Sequence, residues 1–391
     1  MPVIPQIRAE ARSALIALRR EFHRCPELSL QEYRTAQRIE QELDKLAIAH
    51  VRVGKTGVLG TLRGAEDGRA VILRADIDAL PIQETSGAAY ASETPGVMHA
   101  CGHDAHIACL LGAAQLLAAQ RKELCGEVRF VFQPAEEIGQ GAKPFVAAGA
   151  LDGAVRVFGL HVASDLPAGS VGLKPGLNNA AVDHFKITVY GRSSHVSTPH
   201  LGTDALYIAS QIVVSLQALV TRMTSPVEPV IIGVGKLTAG TTYNALAETA
   251  VLEGTTRTVS QQSRDRIRLL VAQTAEGIAQ IYGGTAGLQW ADFAAALIND
   301  PAACAEAAAV AETLFGPGRV LSDRPLSLSG DNFAEYLLHL PGAYAYLGTG
   351  NPALPNTVQA GHSSAFDVDE DTLALGAQLY AAYALRALEL P

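Results

Sequence analysis

The nine residues 98–106, MHACGHDAH, constrain the fold of this chain more than any other stretch. They hold three histidines, one thiol and one carboxylate, and the almost wholly apolar residues 107–119 that follow predict a buried helix. The polar cluster should therefore lie at the start of a helix that packs in a core. Burying so many titratable groups is costly unless a partner such as a metal ion satisfies them. The alternative is a helix-capping turn in which the histidines make ordinary hydrogen bonds.

Metal-type side chains also follow three apolar runs that are typical of buried strands. The runs are 70–74, 127–132 and 155–160, and the side chains after them are Asp76 and Asp78, Glu136 and Glu137, and His161. Because strands alternate with helices here, we predict an α/β domain with a mostly parallel sheet. Ligands of such sheets bind outside the carboxyl ends of the strands, so these side chains should meet at one edge.

The character of the sequence changes at residues 170–183, which are rich in Gly, Pro and Asn and predict a linker. The elements predicted after it follow the order β-α-β-β-α-β of a ferredoxin-like unit. We therefore expect a discontinuous catalytic domain, α/β with a mostly parallel sheet, over residues 1–181 and 294–391. A ferredoxin-like α+β domain would be inserted over residues 182–293.

Two amphipathic helices are predicted near the N-terminus. The first covers residues 4–24, where apolar residues recur on one face and Arg and Glu are interspersed, a pattern that is not typical of a signal peptide. Ser29 followed by Glu32 fits a capping box at the start of the second helix.

Composition narrows the class of protein. The net charge of −9 and the absence of a Lys/Arg block argue against a nucleic-acid partner. The five cysteines are odd in number and irregularly spaced, which favours a reducing cytoplasm over a disulfide framework. The chain has no run of about 18 apolar residues, so we expect no membrane span and a cytoplasmic enzyme.

Five side chains could supply metal ligands: Cys101, His103, Glu137, His161 and His362. Thiolates and imidazoles bind Zn, Mn, Co or Ni well. Two metals about 3.5–4 Å apart, bridged by one ligand and a water, would account for five ligands. Such metals would acidify the water and polarise a substrate carbonyl.

The mechanism also needs a group that carries protons. Glu136 would act as general base towards the water and then as acid towards the leaving amine. Asp78 is a candidate to hold a ligand imidazole from behind the metals. The alternative for the Glu136–Glu137 pair is a solvated loop, which would be favoured for an isolated dipeptide.

The chain resembles the aminoacylase, hippurate hydrolase and indoleacetyl-amino-acid hydrolase group of di-metal peptidases. The matching segments span nearly the whole chain in the family's order: FHRCPELSLQE, RADIDALPIQE, VMHACGHDAHIACLLGAA, FQPAEEIGQGA, GLHV, SSHVSTPH, EGTTRT and GHSSAFDVDE. The resemblance implies the same five metal ligands, with Glu136 as the base. It also implies that the inserted domain mediates dimerisation.

The resemblance assigns three residues of the inserted domain. His195 would reach the partner subunit's active site and stabilise the oxyanion there. Asn244 and Arg257 match positions that bind substrate in relatives, and a guanidinium suits a free carboxylate. The chain departs from the family at residues 329–333 and 244–247, which lie outside the expected ligands, so the departures put the usual substrate in doubt before hydrolysis itself.

Together these patterns predict a metal-dependent amidohydrolase that cleaves N-acyl amino acids, hippurate-like or N-acetyl, and acts as a homodimer. It would bind two divalent metals per subunit. The thiolate favours Zn, Co or Ni, whereas the resemblance favours Mn. The alternatives are a metallo-dipeptidase or carboxypeptidase with the same site, and a catalytically silent dimeric binding protein.

Overall fold

The computed structural model describes residues 7–390, so residues 4–6 of the predicted first helix lie outside it. The chain forms two compact units. The first comprises the chain up to Asn178, Ile298–Pro325 and the chain from Asn332, and the second comprises Asn179–Leu297 and Leu326–Asp331. Residues 326–331 thus group with the second unit, although we expected them in the catalytic domain. The assignment of the units as catalytic and dimerisation domains stays a prediction.

The strands and helices alternate along the chain. The strands are β1 (Ala49–Val53), β2 (Gly57–Arg63), β3 (Glu66–Asp76), β4 (Cys125–Gln133), β5 (Ala154–Pro167), β6 (Val171–Gly172), β7 (Gly176–Asn179), β8 (Ala181–Tyr190), β9 (Ile231–Ala239), β10 (Thr249–Thr258), β11 (Thr285–Ala294), β12 (Leu297–Asn299), β13 (Val320–Leu321) and β14 (Gly342–Gly350). The helices are α1 (Ala9–Arg24), α2 (Tyr33–Lys45), α3 (His103–Ala119), α4 (Ala142–Ala147), α5 (Ala205–Thr221), α6 (Gln261–Ile281), α7 (Pro301–Phe315), α8 (Ala334–Leu337) and α9 (Leu373–Leu388).

The first unit is built on an eight-stranded sheet in the order β1-β2-β4-β3-β5-β14-β6-β13. Its central strands β4, β3, β5 and β14 are parallel to one another, and β1 and β2 add an antiparallel edge. Residues 70–76 of β3 are all buried, as expected for a strand that is covered on both faces. The predicted α/β fold with a mainly parallel sheet is confirmed.

Helix α3 is buried over most of its length, which confirms the buried helix predicted from the apolar run. Its first residue, His103, is buried. Its apolar residues join those of α9 and the sheet in one core. Among residues 7–390, no helix is long and apolar enough to span a bilayer.

The second unit has the predicted β-α-β-β-α-β element order. Strands β11-β8-β10-β9 form an antiparallel sheet. Burial alternates along β8, where Phe185, Ile187 and Val189 pack in the same core as residues of α5 and α6. Asp204 and Ser260 cap these two helices by accepting hydrogen bonds from backbone N–H groups of the first turn.

The predicted capping box at Ser29 and Glu32 is wrong. The Ser29 hydroxyl donates to Asp78 Oδ2 at 2.6 Å instead of capping α2. Glu32 immediately precedes α2, but its Oε1 accepts hydrogen bonds from the backbone N–H groups of Leu30 and Ala135, both at 2.9 Å. Buried acceptors and donors elsewhere in the fold thus compete successfully for the groups of a local cap.

The hydroxyl of Tyr380 in α9 connects two central strands of the sheet. It donates to the carbonyl of Arg74 in β3 at 2.5 Å and accepts from the N–H of Leu160 in β5 at 3.1 Å. Tyr383, on the same helix, is equally buried, but its hydroxyl has no hydrogen-bond partner among the residues that the structure describes. The Tyr380 hydroxyl thus makes hydrogen bonds to two strands, whereas the Tyr383 hydroxyl makes none among the described residues.

We therefore expect Tyr380→Phe to lower the free energy of unfolding by about 1–3 kcal/mol, because it leaves the Leu160 N–H buried without an acceptor. Tyr383→Phe removes a hydroxyl without a partner and should be close to neutral. Urea unfolding of the two variants beside the wild type measures the difference. Equal losses in both variants would show that the Tyr380 hydroxyl does not stabilise the strand pair.

Candidate metal centre

Five ligand-type side chains converge at the carboxyl edge of the large sheet, all within the first unit. Cys101 lies just before α3, and His103 is its first residue. Glu137 follows β4, and His161 lies within β5, which continues further than predicted. His362 lies in the loop before α9, where its N–H donates to the carbonyl of Ala100 at 2.8 Å. The structure thus brings together the five predicted ligands.

The distances among these side chains suit shared coordination. Cys101 Sγ lies 3.4 Å from His161 Nε2. The two oxygens of Glu137 divide between two histidines, with Oε1 3.8 Å from His103 Nε2 and Oε2 3.5 Å from His362 Nε2. Cys101 belongs to two groups of donors whose atoms lie within 4.8 Å of one another, one with His103 and His161 and one with Glu137 and His362. Cys101 is thus a donor that these two groups share.

Hydrogen bonds fix which nitrogen each buried ligand histidine offers. His103 Nδ1 donates to the carbonyl of Asp78 at 2.9 Å, and His161 Nδ1 donates to the carbonyl of Val162 at 2.6 Å. A carbonyl can only accept, so the proton of each neutral ring is on Nδ1. The Nε2 lone pairs are therefore directed to the cluster, as metal ligation requires.

The residues fit a divalent metal. His103 Nε2 and Glu137 Oε1 are buried and have no hydrogen-bond partner among residues 7–390. Burial raises the pKa of the Cys101 thiol, and burial together with neighbouring carboxylates raises that of Glu137 to about 7. Buried polar atoms without partners are rare, and ligand atoms must lose their protons to bind metal. A cation at this position would give the two unpaired atoms a partner, and its positive charge would favour the deprotonated forms of Cys101 and Glu137.

Asp78 links the ligand shell to the backbone, as predicted for a group behind the metals. It is buried, and its two carboxylate oxygens accept the N–H groups of Glu136 and Glu137 at 3.1 Å and 3.0 Å. Burial acts to raise the pKa of Asp78, but the hydrogen bond from His103 and the other donors hold it below its usual value. The carboxylate therefore stays ionised beneath the cluster.

The sequence placed Asp76 at the ligand edge of the sheet, but it did not predict the group that Asp76 forms with His106 and Arg74. Asp76 Oδ1 accepts from His106 Nδ1 at 2.5 Å, while Oδ2 accepts from Arg74 Nη1 at 2.6 Å, and all three side chains are buried. His106 Nε2 in turn accepts the N–H of Val162 at 2.9 Å, next to the ligand His161. The i, i+3 spacing of His103 and His106 on one helix was the available signal.

Glu136, the predicted base, is buried beside the ligands. Its carboxylate falls in one donor group with His103 and Glu137. Its Oε1 accepts the N–H of Asn332 at 3.3 Å, and the side-chain oxygen of Asn332 accepts from Arg74 and Gln133. The departure at residues 329–333 thus contacts the candidate base through the N–H of Asn332.

The three predicted site residues of the inserted segment belong to the second unit. His195 is exposed, and its Nδ1 lies 2.7 Å from the hydroxyl of Ser197. Asn244 accepts a hydrogen bond from a neighbouring threonine hydroxyl at 3.1 Å. Arg257 donates through Nε to the carbonyl of Leu328 at 2.9 Å, and burial lowers its pKa. Their roles in oxyanion and substrate binding stay predictions.

Comparison with known proteins places this geometry in context. Residues 72–386 match the model of Peptidase family M20/M25/M40. The chain is 39% identical over 377 residues to N-acetylcysteine deacetylase of Bacillus subtilis, covering 96% of this chain and 97% of that one. It is 38% identical over 377 residues to thermostable carboxypeptidase 2 of Saccharolobus solfataricus, covering 95% of each.

A solved structure extends the likeness to the fold. The M20-family dinuclear metal binding peptidase of Bacillus subtilis superposes with a TM-score of 0.82 at 36% identity, covering 97% of this chain and 98% of that one. That protein is described as dinuclear.

If Cys101 is shared by two metals, replacing it should weaken both positions. We expect Cys101→Ser to retain fewer than two metals per subunit after loading and desalting, as measured by inductively coupled plasma mass spectrometry. The control is Cys125→Ser, since Cys125 is an exposed thiol at the start of β4 and should not affect binding. Unchanged metal content in Cys101→Ser would remove the thiol from the ligand set.

Proposed function

The chain belongs to Peptidase family M20/M25/M40, and on that basis we propose that it is a metal-dependent amidohydrolase for N-acyl amino acids. It would cleave the amide to a carboxylic acid and a free amino acid. One observation carries the proposal: Glu136 lies in the same group of donor atoms as His103 and Glu137, at the edge where five ligand-type side chains meet. A base positioned beside a metal cluster is what amide hydrolysis needs.

Two divalent metals per subunit, Mn, Zn, Co or Ni, would be held by Cys101, His103, Glu137, His161 and His362. When bound, they would supply Lewis acidity that polarises the scissile carbonyl and makes a water acidic enough to attack. Asp78 orients the ring of His103 through its own backbone carbonyl, and it holds the backbone of the glutamate pair through its side chain. The ligand geometry is therefore set before any metal binds.

Glu136 would carry the proton. As a carboxylate it takes a proton from the attacking water, whose oxygen bonds to the carbonyl carbon. It then gives that proton to the amide nitrogen as the carbon–nitrogen bond breaks, so the amine leaves neutral. The N–H of Asn332 on Oε1 fixes one oxygen of the carboxylate in place during this cycle.

The second unit would complete the site in a homodimer. We propose that His195 stabilises the oxyanion in the partner subunit and that Asn244 and Arg257 bind the substrate carboxylate end. The separate second unit with its exposed His195 supports this arrangement. We place the enzyme in the cytoplasm because its five cysteines are all free thiols.

The relatives favour two substrate classes. The N-acetylcysteine deacetylase favours small N-acyl amino acids, whereas the carboxypeptidase supports cleavage of peptides as the second candidate. A catalytically silent binding protein is disfavoured, because a binding site has no need of a buried carboxylate such as Glu136 beside the ligands.

The decisive assay measures free amino acid released from N-acetyl, N-benzoyl and indoleacetyl amino acids and from dipeptides. Protein stripped by a chelator is compared with the same protein refilled separately with Mn, Zn, Co or Ni. Metal-restored release from one acyl class supports the proposal and ranks the metals. Release from peptides alone supports the carboxypeptidase, and no release with two metals bound contradicts hydrolysis.

Replacing Glu136 tests its role as base. We expect Glu136→Gln to lower kcat by about 10²–10⁴-fold, because an amide cannot carry the proton, while two metals remain bound. Glu66→Gln is the matched control, since Glu66 is exposed at the start of β3. A kcat near that of the wild type in Glu136→Gln would assign the proton transfer to another group.

A further inference from the structure

The turn that carries Glu136 has an unfavourable backbone conformation. Ala135 has a φ of +53°, a left-handed value that non-glycine residues adopt at a cost in conformational free energy. It lies between β4, which ends at Gln133, and the glutamate pair. Such a conformation persists only where neighbouring groups hold it. The contacts of Ala135 therefore affect the position of the next residue, Glu136, together with the contacts that Glu136 makes with Asp78 and Asn332.

Three consecutive N–H groups of this turn donate to two buried carboxylates. Glu136 and Glu137 donate to Asp78, and Ala135 donates to Glu32 Oε1 at 2.9 Å. The contacts of Glu136 and Glu137 with Asp78 belong to the candidate metal centre. The third comes from a residue distant in the chain, at the junction before α2, to which the resemblance and the mechanism assign no role.

Glu32 is a buried acid without a cationic partner among the described residues. Its exposed fraction is 0%, Thr56 is a side chain that offsets part of the cost of its burial, and no hydrogen bond or ion pair among residues 7–390 joins it to a Lys or Arg. Burying an acid without a counter-ion costs free energy, and burial raises the pKa of Glu32. Its Oε1 accepts the N–H groups of Leu30 and Ala135, and both of these residues have positive, left-handed φ values.

The segment around Glu32 approaches the site at two points. Ser29 donates to Asp78 Oδ2 at 2.6 Å, so the carboxylate that holds Glu136 and Glu137 is itself oriented from this segment. Leu28 pairs with Ala79 as an isolated bridge, which keeps the segment against the end of β3. Residues 28–32 therefore supply one of the two carboxylates that bind the turn, that of Glu32, and help to orient the other, that of Asp78.

We propose that Glu32 is a positioning residue for the base: by accepting the Ala135 N–H it maintains the left-handed turn and so aims the carboxylate of Glu136. The inference rests on the proposed function, in which Glu136 transfers the proton. Asp78 holds the N–H groups of both Glu136 and Glu137, and only the Glu137 carboxylate would also be held by metal, so loss of Glu32 should shift the base and leave the metal ligands in place. Displacements of about 1 Å can cost about 10²-fold in rate.

Glu32→Ala should therefore lower kcat by about 10–100-fold with KM within twofold of the wild type and two metals still bound. Glu32→Gln keeps an acceptor oxygen for the Ala135 N–H and should have an intermediate kcat. The matched control is Glu27→Ala, because Glu27 lies in the same segment but holds the N–H and hydroxyl of Thr35 in α2. It should lower the Tm and leave kcat at the wild-type value.

A second substitution separates positioning from general damage. Glycine adopts left-handed φ values without strain, so Ala135→Gly in the Glu32→Ala background should recover part of the lost kcat. Recovery supports the view that Glu32 acts through the backbone of residue 135. A double variant no faster than Glu32→Ala would overturn it, as would a Glu32→Ala variant that loses metal and kcat together.

Hydrogen exchange gives a readout that does not need activity. In metal-loaded Glu32→Ala, the peptide covering residues 133–139 should exchange at least tenfold faster than in the wild type, whereas Glu27→Ala should leave it unchanged. Unchanged exchange in Glu32→Ala would overturn the proposal even if kcat fell. If the wild type hydrolyses none of the amides, the proposed function fails, but this exchange difference still decides whether Glu32 holds the turn.

Discussion

The carboxylate of Asp78, buried just past the end of β3, is the group on which the candidate site depends. Its oxygens accept the N–H groups of both residues of the glutamate pair and the hydroxyl of Ser29, while its own carbonyl orients His103. A metal ligand, the candidate base and the N-terminal segment are therefore held from one residue. Asp78 follows by two residues the end of β3, a strand that lies between β4 and β5 in the large sheet.

The same arrangement explains why titratable groups are buried here at all. Ionised side chains in a core are tolerated when donors and opposite charges surround them, and Arg74 and His106 do this for Asp76, as backbone N–H groups do for Asp78. The ligand atoms His103 Nε2 and Glu137 Oε1 are the exceptions, because they lie 3.8 Å apart and have no hydrogen-bond partner among the described residues. Their missing partner is what a cation would provide.

Much of this site could be predicted because it depends on local patterns. Metal-type residues after apolar strands meet at one edge of a parallel sheet, so Glu137 and His161 could be predicted from strand order. The stretch at 98–106 could be predicted from its own composition and the apolar run that follows it. The roles of Glu32, Ser29 and Asn332 could not be predicted, because each acts through contacts with residues at least 49 positions away. A capping box was the favoured local interpretation of Ser29 and Glu32, and tertiary hydrogen bonds replaced it.

X-ray absorption spectroscopy of the zinc-loaded protein most directly tests the proposed two-metal cluster with Cys101 as a ligand. We predict a sulfur scatterer at about 2.3 Å and a second metal at about 3.5–4 Å. The sulfur signal should vanish in Cys101→Ser and persist in Cys125→Ser. A shell of nitrogen and oxygen alone, or a single isolated zinc at full loading, would contradict the cluster and the mechanism built on it.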